Sequence, residues 1–266
     1  METNSKTDLT TWEEGGTRKG TMALVAEEPL SIRIHGKPYS VVMRTPGDEK
    51  AHVAGFCLAE GIIDSTSDIV SIGFCDGDDT NVVTITLTAE RRAQVPEILD
   101  RRNYISQTSC GLCGKELVDD LYQMLKPVER DSRIDIATAA ARLSDLSSHQ
   151  PLRAKTKASH AAVLFNIAGE PLTAAEDVGR HNALDKVIGK VFLENRLAEV
   201  GFAALSSRIS YELVQKAARA RIPVILAVSR PTALAVQLAS KLNMTLASLS
   251  PNEGLFIYCG GERLSG

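Results

Sequence analysis

Apolar and polar positions change their period several times along the chain, and the changes mark out the elements. Leu30, Ile32 and Ile34 alternate with Ser31 and Arg33, His35-Gly36-Lys37-Pro38 carries turn residues, and Tyr39 to Met43 continues in β-prone residues. That is the pattern of a hairpin. Thr45-Pro46-Gly47-Asp48 has the form of a capping box, and Val53, Phe56 and Cys57 recur at helical spacing toward Glu60-Gly61. Ile69 to Phe74 and Val82 to Leu87 read as two further strands across the acidic turn Asp76-Gly77-Asp78-Asp79. Gly114 to Leu125 returns to helical spacing, with apolar residues at 117, 118, 121, 124 and 125.

Past the polar, punctuated stretch from Pro127 to Arg133 the pattern becomes an alternation of short apolar runs and amphipathic segments. Helices are predicted over Ile136–Leu146, Asn182–Leu193, Tyr211–Ala220 and Thr232–Leu242. Strands are predicted over Ala161–Ile167, Leu172–Ala175, Phe202–Leu205, Pro223–Val228, Thr245–Leu249 and Leu255–Tyr258. Apolar strands among amphipathic helices point to an α/β fold with a mostly parallel sheet covered on both faces. The expected organisation is a flexible leader over 1–20, an α+β domain over 21–130, and an α/β domain over 131–266. The leader is polar, with few apolar anchors.

Composition narrows the functional class. The 266 residues carry 30 Lys and Arg against 33 Asp and Glu, a formal charge of −3, and no dense basic run, so no nucleic-acid partner is expected. The opening residues lack the apolar core of a signal peptide, and no apolar run reaches spanning length. A cytoplasmic protein without a membrane partner is expected, and its five cysteines are then free, reactive or buried rather than paired.

Ser109-Cys110-Gly111-Leu112-Cys113-Gly114 sets two thiols a short step apart among glycines, just ahead of a predicted helix and beside Lys115. A helix N-terminus and an ammonium both favour thiolate over thiol. The pair could be half of a zinc site, a redox centre, a disulfide or a persulfide carrier. Cys57, Cys75 and Cys259 are single and scattered and provide no second pair for zinc. His52 and Cys57 read as a surface imidazole and a buried thiol, and no role falls to Cys75.

Three strand-to-helix junctions are rich in polar groups: Glu176-Asp177-Val178-Gly179-Arg180-His181-Asn182, Ser206-Ser207-Arg208-Ile209-Ser210 and Ser229-Arg230-Pro231-Thr232. Ligands of open α/β sheets collect where helix N-termini point N–H groups outward, and each junction holds an arginine, whose fork suits phosphate. Arg180, Arg208 and Arg230, with His181, are therefore candidates for an anionic, phosphate-bearing ligand. His160 either faces the same cleft or opens a strand. No Walker loop, no G-x-G-x-x-G and no zinc-deaminase signature is present.

On Thr108 to Gly114, on Glu176-Asp177-Val178-Gly179-Arg180-His181-Asn182-Ala183-Leu184-Asp185-Lys186 through Gly189, on Glu60-Gly61-Ile62-Ile63, and on Arg208, Ser210, Glu212, Ser229, Pro231 and Thr232, the chain resembles the FdhD family of formate dehydrogenase accessory sulfurtransferases. The likeness runs from about residue 21 to Arg263. It implies a sulfur carrier that accepts persulfide sulfur from a cysteine desulfurase and transfers it to the molybdenum bis(guanine dinucleotide) cofactor before that cofactor enters formate dehydrogenase.

The resemblance further implies a cytidine-deaminase-like C-terminal domain without zinc chemistry, a homodimer, Cys110 as persulfide carrier with Cys113 as its companion, and cofactor contacts from Leu255, Phe256, Ile257, Tyr258, Cys259 and Gly260. No permanently bound metal is expected. A non-catalytic chaperone that binds and hands over the cofactor is the alternative. The chain departs from the family pattern at Lys157 and Ser207, where glycine is usual, and lacks the arginine expected before Tyr258. Cys259 is either a third sulfur station or a buried thiol.

Overall fold

The computed structural model describes residues 2–75, 79–95, 125–129, 132–251 and 254–266, and the CxxC stretch with the helix predicted after it lies outside them. The chain opens with a hairpin, β1 (Asn4–Glu13) and β2 (Gly16–Val25), turning at Gly15 and Gly16, both at positive φ. The expected loose leader is therefore paired strand over most of its length. Its side chains are nearly all exposed, so no apolar alternation announced it; backbone pairing and threonine-rich β propensity carry it.

Four strands follow, β3 (Glu28–Ile34), β4 (Lys37–Arg44), β5 (Ile69–Phe74) and β6 (Val82–Leu87), in the order β4-β3-β6-β5. Leu30, Ile32, Val83 and Ile85 bury one face of this sheet, and α1 (Glu49–Ala59) packs on it.

The second sheet has six strands in the order β13-β12-β11-β10-β8-β9. They are β8 (His160–Phe165), β9 (Pro171–Asp177), β10 (Phe202–Leu205), β11 (Val224–Ala227), β12 (Thr245–Leu249) and β13 (Leu255–Cys259). The sheet is mixed rather than mostly parallel. Only β10–β11 and β11–β12 pair parallel, because the short connections from β8 to β9 and from β12 to β13 fold each pair back on itself. Both faces are covered, which explains apolar runs without alternation: Ala162, Leu164, Ala203 and Ile225 face one side, Val163, Phe165, Phe202 and Val224 the other. On the first side lie α4 (Arg180–Leu193), α5 (Tyr211–Arg219) and α6 (Ala233–Lys241). On the second lies α2 (Ile136–Ser144), capped by Asp135 and flanked by the short strands β7 (Ile134–Asp135) and β14 (Leu264–Ser265). The helix α3 (Pro151–Thr156) precedes β8.

The expected division near residue 130 separates the two sheets but not the interior, since one apolar cluster runs from Leu30 to Leu246. Its centre is the crossing of α1 on α4. A Cβ on Gly55 would collide with the Asp185 carbonyl, and one on Gly189 with the Ala51 carbonyl, so glycine at both positions lets the helices touch backbone to backbone. Around this contact polar groups clasp the layers. Arg219 donates to the carbonyls of Leu58 and Ile63, and Arg91 to those of Gly61 and Ile62, closing the C-terminal end of α1. At the other end, Thr45 does not cap α1 as its spacing predicts. The helix starts after Asp48, which is at φ 60 and makes no side-chain cap, and the Thr45 hydroxyl accepts from Val178 N–H at 3.0 Å.

Candidate functional site at the sheet edge

In the six-stranded sheet β9, β10, β11 and β12 run one way, β8 and β13 the other. The ends of the first four and the starts of the other two thus share one edge. All three polar junctions lie there, as their spacing predicts, because each follows β9, β10 or β11. The starts of α4 and α5 and the Thr232-capped start of α6 bring backbone N–H groups to the same edge; the Thr232 hydroxyl accepts from Ala235 N–H at 3.2 Å.

The first junction divides its labour. Glu176 accepts from the N–H groups of Leu152 at 2.6 Å and Arg153 at 2.8 Å and from the Ser159 hydroxyl, so it holds α3. Asp177 is fully buried and accepts from Thr45 N–H, Gly179 N–H and the Asn182 amide, with the Lys186 ammonium 2.7 Å away. Both carboxylates are framework. Arg180 is not: it is half-buried, its Nε is sealed from solvent without a hydrogen bond, and no carboxylate among the described residues pairs with it. A cation desolvated without a partner is expensive, and an anion at the edge would relieve that cost. Arg208 and Arg230 stand exposed on the same edge.

His160 opens β8, with Nδ1 3.5 Å from the Ser206 hydroxyl. Burial first, then the positive charges of Arg153 and Arg180, holds it below the usual histidine range. It belongs to the edge as a neutral group, and Arg153, which the sequence reading did not single out, joins it there while donating to the Ser159 carbonyl. His181 turns elsewhere. Its Nε2 lies 2.9 Å from Glu212 and 3.3 Å from the Ser210 hydroxyl, in a cavity of about 250 Å³ lined by Ala59, Glu60, His181, Glu212, Gln215 and Lys216. Burial lowers its proton affinity most; Glu212 pulls the other way, and Arg180 and Lys216 reinforce the lowering.

Along β13, Phe256 is exposed beneath Arg230, whose guanidinium carbon is 5.5 Å from the ring centroid. The Tyr258 hydroxyl meets the Ser248 hydroxyl at 2.9 Å, Leu255 packs on the α2 side of the sheet, and Ile257 is exposed. Gly260 sits at φ 63 against the Met244 carbonyl, a place without room for a side chain. Cys259 is half-buried, with Sγ 3.4 Å from the Met244 carbonyl and its proton affinity raised chiefly by burial. A thiol held protonated is a poor nucleophile, which favours the buried-thiol account over a third sulfur station.

Cys57 is buried and its thiol is raised by desolvation, as expected of a core residue. His52, expected at the surface, has no exposure at all, and neither ring nitrogen makes a hydrogen bond. Its position on α1 gave no warning, because what covers it is α4 and the junction before it. Cys110 and Cys113 lie outside the described residues; the chain leaves the described structure after Val95 and re-enters at Leu125, both side chains buried in the main cluster. Among the described residues no three His, Cys, Asp or Glu side chains gather to hold a metal, and no helix is long and apolar enough to cross a membrane.

Fold and edge together define a mixed α/β protein with an arginine-bearing rim. A model of the FdhD/NarQ family matches residues 25–265, and the chain belongs to that family. It is 38% identical over 254 residues to "Sulfur carrier protein FdhD" of Anaeromyxobacter dehalogenans strain 2CP-C, covering 91% of this chain and 88% of that one. It is 39% identical over 252 residues to the protein of the same name from Streptomyces coelicolor, covering 91% and 89%. Among solved structures, a Desulfotalea psychrophila protein provisionally described as a formate dehydrogenase accessory protein superposes with a TM-score of 0.79 at 22% identity, over 99% of this chain and all of that one, and so shares the fold.

Proposed function

We propose that this chain is a cytoplasmic sulfur carrier that takes sulfane sulfur from a cysteine desulfurase onto Cys110. It passes that sulfur to a molybdenum bis(guanine dinucleotide) cofactor held at the rim of its cytidine-deaminase-like C-terminal unit, in the service of a formate dehydrogenase, and it works as a homodimer. Cys110 thiolate attacks the outer sulfur of a donor persulfide; a new S–S bond forms on Cys110, the donor S–S bond breaks, and the donor leaves as thiolate, with no external oxidant required. Cys113 either takes the sulfur over by the same exchange, freeing Cys110 as thiolate, or attacks the Cys110 sulfur so that the outer sulfur leaves at the sulfide level, the two electrons coming from closure of a Cys110–Cys113 disulfide. Arg180, Arg208 and Arg230 meet the cofactor phosphates, and the start of β13, Leu255 with the Arg230-covered ring of Phe256, flanks its base, whereas Cys259 and Gly260 lie at the far end of the strand beside Met244 and fall outside that set.

The observation that carries the ligand class is Arg180, a cation sealed at Nε with no carboxylate partner among the described residues where three helix starts share one edge. His181 falls outside that set in its present rotamer, since it faces Glu212, and we assign it to orienting the start of α4 instead. The test of the carrier role is intact-mass spectrometry after incubation with a desulfurase and cysteine. One added sulfur on the wild type, absent from Cys110→Ala, is the expected result; the same gain on Cys110→Ala removes Cys110 from the role and moves it to another cysteine, and full support of formate dehydrogenase activity by Cys110→Ala leaves the cofactor-binding chaperone reading.

A further inference from the structure

The corner of the rim where β8, β9 and α3 meet carries more positive charge than its own carboxylate can neutralise. Glu176 turns its oxygens to the N–H groups of Leu152 and Arg153 and to the Ser159 hydroxyl, so it pairs with neither guanidinium nearby. Arg153 donates through Nη1 to the Ser159 carbonyl, and no carboxylate among the described residues pairs with it or with Arg180. The imidazole of His160 lies within the field of both charges. Its backbone is held firmly, because Ser159 just before it is 1% exposed and bonded on both sides, hydroxyl to Glu176 and carbonyl to Arg153.

Ser206 decides which ring nitrogen of His160 carries the proton. Its hydroxyl oxygen accepts from Ala161 N–H at 2.8 Å, which leaves its own O–H to donate, and the acceptor within reach is His160 Nδ1 at 3.5 Å. Burial and the two guanidinium charges keep the ring neutral. A neutral imidazole that accepts at one nitrogen donates at the other, so the proton sits on Nε2. We propose that His160, through this Nε2–H, and Arg153 contact the nucleotide beside Arg180 and read the phosphate farther from the guanine base. The base end of the rim is Phe256 under Arg230, and β12, β11 and β10 lie between β13 and β8, so the His160 corner is at the other end of the ligand. Two guanidinium forks and an uncharged N–H on one short arc suit the several oxygens of a single phosphate. A nucleotide with one phosphate stops short of them.

This subsite rests on the reading of the rim as a guanine-nucleotide site put forward above, but on nothing about sulfur transfer. The test is calorimetric titration of the full chain with guanosine diphosphate and guanosine monophosphate, together with a long-range proton–nitrogen spectrum of its five histidines. Wild type is expected to prefer the diphosphate. His160→Leu is expected to weaken the diphosphate by about fivefold, the size of one neutral hydrogen bond, and to leave the monophosphate unchanged. His160→Gln, whose amide sets an N–H near the Nε2 position, is expected to restore most of the difference, and Arg153→Gln to lose about tenfold toward the diphosphate. In the wild-type spectrum, the ring whose signals vanish in His160→Gln is expected to be protonated at Nε2 and bare at Nδ1. That measurement and the Arg153→Gln titration decide the matter should the leucine variant fail to fold. A wild type that binds neither nucleotide overturns the rim reading and this subsite with it. Equal affinity of the wild type for the two nucleotides, diphosphate binding that His160→Leu or Arg153→Gln leaves intact, or a proton on Nδ1 overturns the subsite alone.

Discussion

Lys186 and Asp177 face each other at 2.7 Å with side chains 2% and 0% exposed, and both also hold Thr45, more than 130 residues earlier in the chain. The ammonium donates to the Thr45 carbonyl and the carboxylate accepts its N–H, so one buried ion pair grips the loop that leads into α1 from both sides. Removing one charge strands the other in the interior. Lys186→Met is expected to cost about 3–5 kcal/mol of unfolding free energy, read as a fall in the urea midpoint at unchanged slope. A loss within experimental scatter would show that the pair is not what fastens the loop.

The glycine contact between α1 and α4 makes a second stability prediction. Gly189→Ala places a methyl where the Ala51 carbonyl already stands, and neither backbone can retreat without lifting α1 off α4. The expected loss is about 1–3 kcal/mol or more, against the gain of a few tenths to one that alanine gives in an open helix, and Tm falls rather than rises.

Acid should weaken the fold through its buried imidazoles. His52 has its proton affinity lowered by burial above all, then by Lys186, Lys216 and Arg44, with Asn182 opposing. His160 and His181 are lowered too, burial leading in each. The unfolded chain therefore binds more protons than the folded one once pH drops below about 6.5, and stability is present above that value and lost on the way down. Urea unfolding at a series of pH values should show the midpoint falling below about 6.5, with a shallower fall in His52→Gln.

At the rim, Arg180→Gln should weaken binding of guanosine diphosphate by at least about tenfold, the size expected for one charge-assisted contact, while Tm changes by little. Calorimetric titration gives the first number and thermal unfolding the second. Equal binding by the variant would take Arg180 out of the ligand site.

Thiol labelling distinguishes the single cysteines. Cys75 is exposed, 2.8 Å from the Thr84 hydroxyl, whereas Cys57 has no exposure and a raised proton affinity. Iodoacetamide at neutral pH is expected to modify Cys75 in the native protein and Cys57 only after denaturant is added, as mapped by peptide mass.

The sequence by itself determined most of the elements after residue 25 and which junctions share the rim. Apolar runs such as Phe202–Leu205 and Val224–Ala227 announced strands buried on both faces, the amphipathic segments fixed α2, α4, α5 and α6 to within a residue or two though not the short α3, and the three junctions each placed an arginine beyond a strand. Each of these is legible because periodicity records a residue's own burial, and because the ends of neighbouring strands in one sheet must fall on one edge. The motif around Glu176 to Lys186 likewise carried the family.

Only the tertiary structure decided who meets whom. Thr45 has the spacing of a cap and serves Val178 instead; His52 has the look of a surface imidazole and is sealed under α4; Asp177 belongs to the framework while Arg180, three residues on, has no carboxylate partner among the described residues. Residues 4–25 pair as strands although hardly any of their side chains are buried. In every case the deciding partner lies far along the chain or is backbone rather than side chain. The energy of a buried polar group depends on that partner and not on its own neighbours in sequence.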